Sequence, residues 1–92
     1  MQDMIIANVR EEFQIPPFFP DEGLQRYAEE GEIRLKSLNP IADLEKDKTF
    51  QMLLKNYIYY AYHHEVDLWE QNYNSVILSW MLTTPTTLNQ EE

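Results

Sequence analysis

The stretch "FQMLLKNYIYYAYHHEVDLW", Phe50 to Trp69, decides the reading of this chain. Phe50, Leu53, Leu54, Tyr57, Ile58 and Ala61 recur at three- and four-residue spacing. That spacing puts them on one face of an α-helix. The helix is expected from about Asp47 to at least His64. Beyond His64 the phase shifts: Val66, Trp69, Tyr73, Val76, Ile77 and Trp80 define a second helical face, rotated from the first. Either one long helix turns a new face outward, or a break near His64–Glu65 starts another helix. "QNYNS" (Gln71 to Ser75) holds weak helix formers and is a candidate for a further kink.

Upstream, Leu24, Tyr27, Ala28, Gly31, Leu35 and Leu38 form an amphipathic stripe. Asp21 is the expected N-cap, and Asn39-Pro40 the stop. Gly31 costs about 1 kcal/mol against alanine inside a helix, so its presence predicts a close helix crossing. Arg26 with Glu30 and Glu32 with Lys36 are spaced for ion pairs on an exposed face. A first short helix is expected over "MIIANVREEFQ", with Ile5, Ile6, Val9 and Phe13 inward. "IPPFFP" (Ile15 to Pro20) follows as a stiff elbow, with Phe18 and Phe19 expected to tuck into the core or a neighbour. "PIADLEKDKT" (Pro40 to Thr49) is a charged linker with Ile41 and Leu44 as possible anchors. With two glycines and no strand signal, the fold class is all-α: a small bundle of three to four helices with a long central helix. Residues 1–82 form a single domain, and the polar, proline-broken 83–92 a flexible tail.

Ninety-two residues make a thin core. The chain has no cysteine, which excludes disulfides and thiolate zinc and leaves oligomerisation as the usual extra stabiliser. Its net charge of −9 disfavours binding to free nucleic acid or anionic membranes. The last lysine or arginine is Lys55. No signal peptide and no bilayer-length apolar run is visible, so a soluble, intracellular protein is expected.

Candidate chemistry is sparse. His63, His64, Glu65 and Asp67 are the one ligand-like cluster. Adjacent histidines on a helix point about 100° apart, and no third histidine exists to complete a site. Ser37, Ser75 and Ser79 lie in no nucleophile context, paired acids such as Glu11-Glu12 suit a solvated face, and no glycine-rich phosphate loop is present. The expectation is no enzyme, no metal and no cofactor. The anomaly is aromatic density. Tyr57, Tyr59, Tyr60 and Tyr62 surround one helix, more than a thin core is expected to absorb. Exposed tyrosine and tryptophan are typical of protein interfaces. Tyr59, Tyr60, Tyr62, Trp69, Tyr73 and Trp80, with Asp43, Lys46 and Lys48 of the linker, are therefore the expected subunit interface.

The stretches "DEGLQRYAEEGEIRLKSL" and "FQMLLKNYIYYAYHHEVDLWEQNYNSVILSWML" resemble the head–tail connector (adaptor) proteins of tailed bacteriophages. Leu53, Leu54, Tyr57, Tyr60, Ala61, Trp69, Asn72, Tyr73, Leu78 and Leu82 carry the likeness, which covers roughly residues 5 to 82. The proline-phenylalanine elbow and Trp69 depart from the pattern. The resemblance implies a structural virion protein at the head–tail junction, made in the bacterial host cytoplasm. It would form a ring, around twelve-fold, beneath the portal protein. Such a ring receives a downstream head-completion or tail protein and passes DNA without specific binding. The alternative is an acidic helical regulator or antitoxin-like module that binds a basic protein.

Overall fold

The structure, a computed structural model, describes residues Met1 to Thr84. It is all-helical, with α1 Gln2–Phe13, α2 Asp21–Leu38, α3 Lys48–Tyr62 and α4 Val66–Thr83. Among the described residues there is no strand. The segment expected as a tail lies, from residue 85 on, outside the described residues.

The helices form because their stripes find one another. Phe50, Leu53, Leu54, Tyr57, Ile58 and Ala61 of α3 are all buried, and Leu24, Ala28, Gly31 and Leu35 of α2 face them. The pair runs antiparallel: Phe19, just before α2, meets Tyr62 at the end of α3. α1 lies along both, with Phe13 stacked on Tyr59 at 4.4 Å between ring centroids. α4 folds back along the other flank of α3, where Phe50 meets Trp80 edge-on at 5.3 Å.

Gly31 sits where the sequence predicts a close crossing. A Cβ there would lie 2.6 Å from Tyr57 Cδ1 and 2.8 Å from Leu54 Cδ1, inside van der Waals contact. Only glycine lets α2 approach α3 this closely.

The phase shift beyond His64 is a true break. His64 adopts the left-handed conformation at φ 59°, the Glu65 N–H donates to Tyr60 O at 2.8 Å, and the His64 N–H to Ala61 O at 2.9 Å. This pair of bonds is a Schellman closure, in which the left-handed position is usually glycine. α1 also ends on a left-handed residue: Gln14 has φ 53°, and both its N–H and that of Ile15, the latter at 3.2 Å, reach Arg10 O. α4 then runs unbroken through Gln71 to Ser75. The local cost of weak helix formers is offset by Trp69 and Tyr73 packing on α3.

Four local expectations are corrected. Asp21 is the first residue of α2, not its cap, because its carboxylate pairs with Arg10 at 2.7 Å across the elbow. Lys36 turns from Glu32 to the Ala42 and Pro40 carbonyls at 2.6 and 3.0 Å, while Glu32 accepts from Gln2. Of the elbow phenylalanines, Phe19 packs against the core but Phe18 stays 86% exposed. In the linker Leu44 and Ala42 are the anchors, and Ile41 faces out.

Candidate protein-interaction surface

Two helices meet on Asp47 at the start of α3. Its Oδ1 accepts the Phe50 N–H at 3.0 Å, capping the helix, and its Oδ2 accepts the Trp80 indole Nε1–H at 2.8 Å. One carboxylate therefore fixes both the beginning of α3 and the end of α4. The Asn39 amide donates to Thr84 Oγ1 at 2.7 Å, tying the exit of α2 to the end of α4.

This geometry overturns the interface assignment of the two tryptophans. Trp69 and Trp80 are buried in the protomer's own core. The Trp69 indole donates to the Leu53 carbonyl at 3.2 Å, meets the Tyr57 ring edge-on, and lies 5.8 Å under the Arg34 guanidinium. Arg34 also pairs with Glu70 on α4. The physical reason is the break at His64. It lets α4 turn its aromatic face back onto α3, so Trp69, Ile77 and Trp80 join the core of their own chain.

The tyrosines are partly absorbed too. Tyr59 stacks on Phe13, Tyr62 meets Phe19 edge-on at 4.9 Å, and Tyr60 meets Tyr73 at 6.2 Å. Their hydroxyls find partners where they are needed: Tyr73 donates to Asn56 Oδ1 at 3.1 Å, and Tyr60 accepts from Asn72 at 3.2 Å. Tyr59, Tyr60, Tyr62 and Tyr73 are thus half-buried against their own chain. Burial raises the Tyr57 phenol above its usual range, with Glu30 adding to the effect and Arg34 opposing it. Tyr73 is raised by burial and then by Tyr60.

Asp43, Lys46 and Lys48 are exposed. Lys46 and Lys48 form no ion pair among the described residues. His63 packs edge-on against Tyr59 and Tyr62 at 4.7 and 5.0 Å, beside the left-handed His64. Among the described residues no three His, Asp or Glu side chains stand where they could hold a metal ion, and no helix is long and apolar enough to cross a membrane.

The surface that sequence periodicity missed is the outer side of α4. Gln71, Asn74, Ser75, Leu78 and Leu82 are all exposed and fall on one helical face. Leu78 is 51% and Leu82 85% exposed, and Met81 lies beside them. No charged residue occurs from Gln71 to Gln90. Solvated helix faces carry charges. This one, in a chain of net charge −9, carries none past Glu70. The available signal was that absence, rather than any residue type.

No protein-family model, no curated protein and no solved structure matches this chain. The class that the fold defines is a small all-α bundle of four helices.

Proposed function

We propose that this chain is a head–tail connector subunit of a tailed bacteriophage: a structural virion protein that assembles into a ring beneath the portal, extends the DNA channel and receives the next head-completion or tail component. The observation that carries the reading is the uncharged outer face of α4, where Leu78 and Leu82 are exposed and no charged residue of the helix follows Glu70. Exposed apolar patches on small proteins mark sites where another protein binds. The tyrosine and leucine positions that resemble connector proteins supply the identity of the assembly, and the acidic surface suits a channel through which DNA slides without sticking.

A second reading has its own support. Glu11, Glu22, Glu29 and Glu30 are exposed on α1 and α2 and pair with no cation among the described residues. Such a surface suits an acidic module that binds a basic protein. Native mass spectrometry over a concentration series, with and without the portal protein of the same phage, separates the two. The connector reading expects ring-sized assemblies alone or on the portal. A chain that stays monomeric, ignores the portal and forms a one-to-one complex with a basic protein refutes it.

A further inference from the structure

The start of α1, the outer side of α2 and the linker enclose a surface that neither the core nor the outer face of α4 uses. Two open depressions of about 440 and 350 Å³ adjoin there, sharing Gln2, Glu32 and Lys36. Gln2 and Glu32, which line both, are joined by the bond from the Gln2 amide to Glu32 Oε1 at 2.9 Å. One depression is edged by Ile33, which is 71% exposed, and the other by Met1 and by Ile41, which is 52% exposed. Ile33 is β-branched and exposed, so it serves neither helix propensity nor the core. Four carboxylates line the pair: Glu29 and Glu32 from α2, Asp43 and Glu45 from the linker. None pairs with a cation among the described residues, and residues 85–92 hold no lysine, arginine or histidine to supply one. The one lysine in the lining, Lys36, turns its ammonium onto the Pro40 and Ala42 carbonyls at 3.0 and 2.6 Å.

We infer that this groove takes a basic amphipathic helix of another protein, with apolar side chains over Ile33 and Ile41 and lysines or arginines against the four acids. Charge selects the occupant. A second copy of this chain brings a net charge of −9 to an acidic groove, and like charges set together oppose that contact. Residues 85–92 carry Glu91 and Glu92 and no base, so the chain's own C-terminal segment is mismatched in the same way. Nucleic acid and anionic lipid are repelled too. A segment that is apolar on one side and basic along its edges matches both features of the groove at once. An amphipathic helix laid into a groove is a common form of such a segment. This names the site and the partner segment of the acidic-module reading above and rests on it; the connector reading neither requires nor forbids it.

The probe is a synthetic peptide of about five helical turns, made of leucine and lysine with the leucines at three- and four-residue spacing. Titrated into the isotope-labelled full chain and followed by NMR, it is expected to bind one to one, with shifts centred on Ile33, Ile41 and Glu45, and to weaken as salt rises. Ile33→Ser/Ile41→Ser and Glu29→Lys/Glu45→Lys each weaken it at least about tenfold. Glu11→Lys/Glu22→Lys, which changes the net charge by the same amount away from the groove, stays within about threefold of wild type. These side chains are all exposed, and circular dichroism checks that each variant keeps its helices. A loss as large in Glu11→Lys/Glu22→Lys overturns the inference, because the attraction would then be to the whole acidic chain. So does equal binding by a peptide with glutamate in place of lysine. Shifts centred on Leu78 and Leu82 also overturn it, by giving the segment to the outer face of α4, and so does the absence of saturable binding. None of these outcomes decides the acidic-module reading, which stands or falls with the one-to-one complex sought by mass spectrometry above.

Discussion

Replacing Asp47 by alanine removes two hydrogen bonds that hold two different helices. The cap on Phe50 N is a side-chain N-cap, whose loss costs about 1 kcal/mol. The second bond satisfies the indole of Trp80, which is 4% exposed. Leaving a buried donor without an acceptor costs about 1–3 kcal/mol, and the half-exposed position of Asp47 lets water recover part of it. The sum is about 2–3 kcal/mol, or a fall in Tm of roughly 10–20 °C for a chain of this length. Asparagine separates the two contributions. Its single carbonyl oxygen can keep the cap, but the amide nitrogen that replaces Oδ2 offers the indole no acceptor. Asp47→Asn is therefore expected to lose about 1–2 kcal/mol, between wild type and alanine. Urea denaturation followed by circular dichroism and by Trp fluorescence reads both variants. An alanine variant within about 0.5 kcal/mol of wild type refutes the reasoning, because that is the scatter of ordinary surface substitutions. An asparagine variant as unstable as alanine would show that the Trp80 bond carries all the effect and the cap none.

Other consequences follow from the same packing. His64→Gly is expected to stabilise by about 1 kcal/mol, since glycine occupies the left-handed position without the Cβ penalty, and a lowered Tm would contradict the Schellman closure. Gly31→Ala gains about 1 kcal/mol of helix propensity but drives a methyl group into Tyr57 and Leu54, an overpacking cost of about 1–3 kcal/mol, so thermal denaturation should show no gain and a net loss near 1 kcal/mol. Stability should fall as pH rises through and above the usual tyrosine range: there the unfolded chain has released the Tyr57 proton while the folded chain still holds it, so the folded state binds more protons and the free energy of unfolding drops with pH. Tyr57→Phe should flatten that alkaline slope in urea titrations, and an unchanged slope would assign it to other groups. Arg10→Ala should open the elbow, because one guanidinium bonds the Pro16 and Phe19 carbonyls and Asp21, and limited proteolysis should then cut within residues 15–20 faster than in wild type.

The helices themselves were legible because burial and periodicity agree. Every member of the Phe50–Ala61 stripe is buried, and Gly31 marks the closest crossing as its helix-breaking cost implies. The helix ends were harder to read. Gln14 and His64 close α1 and α3 in left-handed conformations that sequence reading normally assigns to glycine, so a break at His64 and a continuous helix look alike in one dimension. The destination of Trp69 and Trp80 was hidden for a related reason. Periodicity shows which residues share a face, but it does not show whether that face turns to its own chain or to another. The answer depended on a reversal made by three residues, His63 to Glu65. The surface left over after that reversal, Leu78 and Leu82, lies on the side of α4 away from its buried residues Trp69, Ile77 and Trp80, and falls outside the apolar stripe that periodicity marks.

The central claim is that this small acidic bundle builds a ring on a portal. Electron microscopy of the chain mixed with the portal protein of the same phage tests it most directly. The account predicts an added ring of one rotational order at the base of the portal. Bare portals, together with a chain that remains monomeric at every concentration, would contradict it.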